Sequence, residues 1–184
     1  MKTTDGGKNW KELPAERLPA IELGEAGFAV SGTNLAALSS SGLAIALGGS
    51  QPGKGFDRSR IVVTEDDGAN WSAQTVPLGR SEAGGIFSLC LIDREAWVAV
   101  GGNYQQPDVF QQTAAFSTNG GATWSAPTNG LPSGYRSCVA CGAEPSGQRL
   151  LIAVGPNGTD LSRDAGRSWQ RCSVTGFHAV DFST

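Results

Sequence analysis

The feature that most constrains the fold of this chain is an eight-residue pattern that occurs four times. It reads Ser or Thr, any residue, Asp or Asn, any residue, Gly, any residue, Asn, Thr or Ser, and finally Trp. The copies are TTDGGKNW (residues 3–10), TEDDGANW (64–71), STNGGATW (117–124) and SRDAGRSW (162–169). Their tryptophans lie 61, 53 and 45 residues apart. Recurrence at this spacing indicates a repeat protein made of similar stacked units.

Each copy of the pattern, called a box below, contains the residue types of a tight turn. The Asp or Asn side chain can accept backbone N–H groups two residues on, and the following Gly suits a positive φ. The trailing Trp begins the next strand and offers a large apolar face for packing between sheets. We therefore predict a structural role for the central residues of the boxes, which are Asp5, Gly7, Trp10, Asp66, Gly68, Trp71, Asn119, Gly121, Trp124, Asp164, Gly166 and Trp169.

A second repeat lies between the boxes and consists of a short apolar run that ends in Gly. The runs are AIALG (44–48), WVAVG (97–101) and LIAVG (151–155), and each predicts a buried strand. A β-prone segment precedes each run, and a strand leading into the box follows it. One unit is therefore four strands, namely an inner strand, the apolar strand, the strand before the box and the Trp-led outer strand. This is the pattern of a four-stranded β-propeller blade.

The predicted fold is all-β, with one partial β-propeller domain over residues 1–184. Whole blades are expected at 25–77, 84–128 and 134–174, with an outer hairpin at 1–14 and the start of an inner strand at 177–184. Three whole blades and two partial ones are fewer than the roughly 4–8 blades of a closed propeller. We therefore expect about half of the propeller to be missing, or to be supplied by another copy.

Charge and hydropathy exclude two classes of partner. The formal net charge is −3 with no basic stripe, which predicts that the protein does not bind nucleic acid. No apolar run approaches the ~20 residues of a membrane-spanning helix, so we expect no membrane span. The first residues lack the apolar core of a signal peptide, and the compartment stays open. A periplasmic or extracellular location would require an export signal upstream.

The cysteines and glycines predict neither a metal site nor a cofactor. Cys138 and Cys141 have the spacing of a zinc knuckle, but no second pair follows. In the strand predicted there, residues three apart face opposite sides of the sheet. We therefore expect Cys138, Cys141, Cys90 and Cys172 to be free thiols. No Gly-x-Gly-x-x-Gly motif lies between a strand and a helix, so no nucleotide cofactor is expected.

The boxes and the segments between them resemble the BNR/Asp-box proteins related to the photosystem II stability/assembly factor. Members of this bacterial group are often labelled glycosyl hydrolases or oxidoreductases. The resembling stretches between boxes are EAGFAVSGT (25–33), GGIFS (84–88), VGGNY (100–104), GYRS (134–137), VGPNGTD (154–160) and GFHAV (176–180). The resemblance covers nearly the full length. It implies a propeller of about seven blades, roughly twice the size of this chain, with no established catalytic residue.

Two functions remain open at this point. One is a non-catalytic binding or assembly scaffold, and the other is a sialidase-like glycoside hydrolase of the BNR-repeat type. The tripeptide at 17–19, Arg-Leu-Pro, mimics the Arg-x-Pro motif of sialidases. Such chemistry needs an acid, a nucleophile and several cations around one sugar carboxylate, and this chain has only two tyrosines and scattered arginines. We therefore predict the scaffold, with no catalytic residue.

Binding is predicted at the mouth of the channel, where inner-strand starts and connecting loops of successive blades meet. Arg136 and His178 are expected to face the centre or its entrance. A cation there without a fixed internal partner would favour an anionic group. The expected partner is a protein or a small anionic or glycan ligand. The candidate ligand-binding residues are Glu25, Ser31, Ser88, Tyr104, Arg136, Asp160 and His178.

Overall fold

The computed structural model describes residues 1–52 and 57–182, and its regular structure is almost entirely antiparallel β-strand. The first sheet contains, in spatial order, β1 (Leu35–Ala37), β2 (Leu43–Ala46), β3 (Asp57–Thr64) and β4 (Ser72–Arg80). The second contains β5 (Gly84–Leu91), β6 (Trp97–Asn103) and β7 (Ala114–Ser117). The third contains β8 (Cys138–Ala143), β9 (Arg149–Gly155), β10 (Gly158–Ser162) and β11 (Gln170–Ser173).

Each sheet is a meander in which strands that follow one another in sequence are paired in space. The predicted fold class, an all-β partial propeller of four-stranded units, is confirmed. In the second sheet the predicted outer strand after Trp124 is reduced to one bridge between Phe116 and Ser125. Pro127 follows two residues later, and a proline cannot donate the backbone hydrogen bond that would extend this pairing. Within the described ranges the helical structure is a single 3-10 turn at Ala15–Arg17, and no helix there is long and apolar enough to span a membrane.

The inner segments of the first and last units are less regular than predicted. Of the β-prone stretch 28–38, only β1 is a strand, although Ala26 also pairs with Gly48. The final stretch at 177–182 forms no strand, but it runs beside β8. The hydroxyl of Ser137 donates to the His178 carbonyl at 2.9 Å there. Residues 183–184 of the predicted last piece and 53–56 of the predicted first blade lie outside the described residues.

The sheets pack through two apolar clusters that share β6. Because side chains alternate along a strand, Trp97 and Ala99 enter the cluster between the first and second sheets, and Val98 and Val100 enter the cluster between the second and third. All four residues are buried. This explains why the apolar runs of the sequence are continuous, since a strand covered on both faces has no polar side.

Close contact of the first two sheets depends on glycine. The N–H of Gly49 donates to the carbonyl of Gly84 at 2.9 Å, and Gly48 and Gly85 lie directly against each other. A Cβ atom on Gly85 would lie 2.2 Å from the Gly48 Cα. Backbone therefore contacts backbone where the chain leaves β2 and where β5 begins, which holds the first two sheets close together.

Candidate functional site

The four boxes close four turns with one shared hydrogen-bond pattern. The Ser or Thr hydroxyl accepts the N–H of the Gly four residues later at 2.9–3.0 Å. The Asp or Asn Oδ1 accepts the N–H of the residue four positions later at 2.8–2.9 Å. We expected the Asp side chain to accept an N–H two residues later. In the first three boxes it is the Ser or Thr hydroxyl that accepts such a bond, from the N–H of the Asp or Asn at 3.3–3.4 Å. The first residue of each box is thus as important to the turn as the Asp.

The positive φ angles predicted for the box glycines are confirmed, with values of 79° to 89° at Gly7, Gly68, Gly121 and Gly166. The residue before each of these is also left-handed, with φ between 58° and 72°. In the second and fourth boxes this residue is not glycine but Asp67 or Ala165. The turn therefore needs two successive left-handed residues, of which the pattern in the sequence indicates only the second.

The box carboxylates are held in the ionised form by their own turns. Donation from the backbone N–H and the side-chain amide of Asn9 lowers the pKa of Asp5 to about 2. The same two groups of Asn70 lower the pKa of Asp66 to about 2. A general acid at neutral pH needs a raised pKa, so these carboxylates are unsuited to proton donation.

We expect Thr64→Val to lower the free energy of unfolding by about 1–3 kcal/mol, because it leaves the buried N–H of Gly68 without an acceptor. Valine keeps the shape of threonine, so little packing is lost. Urea denaturation of the variant measures the change.

The matched control is Thr3→Val, which removes the same bonds from the first box. Gly7 is exposed there, and water can replace the lost hydroxyl, so the expected loss is below about 1 kcal/mol. Equal losses in the two variants would contradict the prediction that burial of the box determines its contribution.

The box tryptophans differ in how they pack. Trp169 is buried in the second apolar cluster, and Trp124 meets Trp97 edge-on at 6.4 Å between ring centroids. Trp71 is half-buried. Trp10 is 56% exposed, which differs from the packing between sheets that we predicted for all four. Its indole N–H donates to the Gly7 carbonyl at 3.1 Å, so the ring folds over its own turn.

Two of the predicted rim residues, Arg136 and Asp160, form a fully buried ion pair. Arg136 Nε donates to Asp160 Oδ2 at 2.6 Å. The other guanidinium N–H groups donate to Tyr135 O, Asn157 Oδ1 and Ser133 Oγ at 2.7–2.8 Å. Burial lowers the pKa of Arg136, and the negative charge of Asp160 opposes this shift. The expectation of a rim cation without an internal partner is therefore wrong for Arg136.

Glu25 also has an internal partner. Its carboxylate accepts from Arg60 Nε at 2.8 Å and Arg60 Nη2 at 2.5 Å. Burial by itself would raise the pKa of Glu25, but the bonds from Arg60 and from the Glu22 backbone N–H lower it. Glu22 in turn forms an ion pair with Arg80. This cluster fastens the segment before β1 to β3 and β4.

Ser31 and Ser88 belong to a chain of hydrogen bonds that crosses the inner strands. The hydroxyl of Thr33 lies 2.6 Å from the hydroxyls of both Ser31 and Ser88. Ser88 Oγ also accepts the N–H of Val139 at 3.0 Å. The side chain of His178 is exposed, whereas that of Arg136 is buried, so these two residues do not present one common surface to a ligand.

Tyr104 is the exposed edge of an aromatic cluster formed by Phe87 on β5 and by residues before β1, after β6 and before β8. Phe28 stacks on Phe87 at 4.5 Å between centroids, and Tyr135 meets Phe87 edge-on at 4.8 Å. Tyr104 lies edge-on to Phe28 at 6.5 Å and is 48% exposed. Burial raises the pKa of Tyr135 to about 12. Within the aromatic cluster, the rings of Phe87 and Tyr135 are thus buried and the ring of Tyr104 is accessible.

The loop after β6, residues 104–112, carries further exposed apolar side chains and is called the rim loop. Val109 and Phe110 are exposed on it. The Pro107 carbonyl accepts the N–H of Tyr135 and the amide of Asn157, both at 2.9 Å. These bonds tie the loop to the third sheet and hold its conformation.

A groove of about 690 Å³, called the rim groove, begins at Phe110. Its other lining residues are Pro127, Thr128, Gly130, Leu131, Pro132, Ser133 and Arg171. The guanidinium of Arg171 donates to the carbonyl of Asn157 at 2.5 Å. None of these groove residues was predicted from sequence. The local signal is the pair Val109 and Phe110 between glutamines and an aspartate in the rim loop.

The cysteines weighed for metal binding lie in the second and third sheets, and the arginine weighed for hydrolysis lies in the 3-10 turn near the start of the chain. Among residues 1–52 and 57–182, no three His, Cys, Asp or Glu side chains cluster to hold a metal ion. The four cysteines are free thiols. Arg17, of the tripeptide that mimics a sialidase motif, is exposed in the 3-10 turn.

Comparison with known proteins finds similarity among solved structures. No protein-family model matches the chain, and no curated protein matches it. A solved chain described as "YCF48 bound to D1 peptide" is similar with a TM-score of 0.48 and 18% sequence identity. The similarity covers 88% of this chain and 47% of that one. The protein thus spans about half the length of that structure.

Proposed function

We propose that this protein is a non-catalytic binding scaffold that holds a polypeptide partner on the rim loop and in the rim groove. The observation that carries the proposal is the exposure of Tyr104, Val109 and Phe110 on a loop that hydrogen bonds hold in place. Exposed aromatic side chains on a preorganised surface are typical anchors of protein interfaces. Little conformational entropy would be lost when a partner binds there.

The charges near the rim favour an apolar contact over capture of an anion. Arg136 is neutralised by Asp160, and Glu25 is held by Arg60. These four groups are therefore engaged within the protein. The rim groove instead offers Phe110 and three more apolar side chains, with Arg171 as the charged lining residue. Such a groove suits an extended apolar segment whose backbone carbonyls accept hydrogen bonds.

We further propose that the repeats are blades of the BNR/Asp-box type related to the photosystem II stability/assembly factor, with the boundaries predicted from sequence. All four boxes have the same two turn-closing hydrogen bonds, which supports a common origin for the repeats. The ligand named for the similar solved structure is a D1 peptide. A D1 peptide is therefore the first probe, together with a set of extended apolar peptides.

We expect Phe110→Ala to weaken binding of the responding peptide by about tenfold or more, since truncation of an interface anchor commonly costs upward of ~1–2 kcal/mol. Fluorescence anisotropy with labelled peptides measures the affinity. Tyr104→Ala should weaken it as well.

The control is Val174→Ala, which truncates an apolar residue that is 77% exposed but does not line the rim groove. Its affinity should equal that of the unaltered protein. Equal losses for Phe110→Ala and Val174→Ala, or no binding of any peptide, would contradict the proposed site. Hydrolysis of a sialoside or aryl-glycoside panel would contradict the non-catalytic assignment.

A further inference from the structure

Two cysteines from different sheets, Cys90 on β5 and Cys141 on β8, come together. Ser88 on β5 accepts the N–H of Val139 on β8 at 3.0 Å, which places these two positions side by side. Cys90 and Cys141 each lie two residues further along the same strands. Side chains two residues apart project to the same side of a strand, so Cys90 projects toward β8 as Ser88 does.

The surroundings of the two thiols support this placement. Cys90 and Cys141 both pack against the second apolar cluster and are both half-buried. Burial raises the pKa of Cys90 to about 12, with further contributions from the neighbouring Cys141 and Cys138 thiols. Cys138 Sγ itself donates to the Val180 carbonyl at 3.5 Å. Cys172 is exposed on β11.

We propose that Cys90 and Cys141 are a cross-sheet dithiol that a low-molecular-weight disulfide, such as oxidised glutathione, converts to a disulfide bond. The thiolate of Cys141 attacks the glutathione disulfide and releases one glutathione thiol. The sulfur of Cys90 then displaces the second glutathione from Cys141. Two S–H bonds are lost and one S–S bond forms, and the two protons and two electrons end on two molecules of reduced glutathione.

The order of attack follows from the environment of the thiols. The raised pKa of Cys90 leaves little of its thiolate at neutral pH, so Cys90 is poorly suited to make the first attack. Oxidation is therefore slow near neutrality and accelerates as the pH rises. The new bond would join the second and third sheets and would restrain the unfolded chain between residues 90 and 141.

The test is incubation of the full chain with oxidised glutathione, followed by thiol counting in denaturant. The count is expected to fall from four to two, and a digest should contain a peptide that joins Cys90 to Cys141. The melting temperature should rise by about 5–15 °C and return on reduction. Cys172→Ser should still form the bridge, whereas Cys141→Ser should not.

Two results would overturn the proposal. One is a bridge that includes Cys138 or Cys172 in place of either partner. The other is an unchanged thiol count in the folded chain under conditions that oxidise the chain in urea. The peptide map of the unaltered protein decides the matter even if a serine variant fails to fold.

Discussion

Replacement of Asp160 by Ala is expected to lower the free energy of unfolding by about 3–5 kcal/mol. The substitution leaves the guanidinium of Arg136 fully buried without its counter-charge. It also removes the acceptor for the backbone N–H and the hydroxyl of Ser133. Burial already lowers the pKa of Arg136, and Asp160 is the acidic group that opposes this shift. Urea denaturation monitored by tryptophan fluorescence measures the loss.

Two comparison variants separate the buried charge from simple loss of an ion pair. The double variant Arg136→Met/Asp160→Leu should recover most of the stability, because no uncompensated charge remains. Glu144→Ala breaks the more exposed pair with Arg163 and should change stability by less than about 1 kcal/mol. A loss below about 1 kcal/mol for Asp160→Ala would mean that water reaches Arg136, contrary to the burial described above.

Gly85→Ala is expected to lower the free energy of unfolding by about 3 kcal/mol or more, at or beyond the upper end of overpacking effects. The added Cβ would lie 2.2 Å from the Gly48 Cα. That neighbour is backbone and cannot rotate away, so the first and second sheets would have to separate. The apolar cluster between them would open as well. Thermal unfolding followed by circular dichroism measures the effect.

The control for this prediction is Gly147→Ala. Nothing lies within 4 Å of a Cβ at Gly147, but its φ is +82°. The expected cost is therefore only the ~1–2 kcal/mol of a left-handed backbone with a side chain. If the two variants melted at the same temperature, close contact at Gly85 would not be important for stability.

The turns and most strands could be predicted because their causes are local. Each box closes through bonds between residues at most four positions apart, so eight residues contain the whole turn. The apolar runs predict β2, β6 and β9, since a strand buried on both faces must be apolar along its length. The outer strand after Trp124 is shorter than predicted because Pro127 limits the pairing.

The candidate site could be predicted only in part, because its chemistry depends on partners that are distant in sequence. The sequence pointed to Tyr104, which is 48% exposed, but Phe110 and the groove beside it had no repeat to mark them. The sequence predicted Arg136 as a cation at the channel mouth, but Asp160, 24 residues later, neutralises its charge. Glu25 meets Arg60 across 35 residues.

The sequence by itself therefore determined the repeat, the turns and the all-β class, since spacing and residue type act over a few positions along the chain. The tertiary structure decided which charges are neutralised, which aromatic rings remain exposed and which thiols meet. Those outcomes depend on how the strands of one unit fold against each other and on how neighbouring sheets pack. Gly48 follows β2 and Gly85 lies in β5, and the contact between them brings the first two sheets together. No local pattern specifies such a contact, because its two sides come from separate repeats.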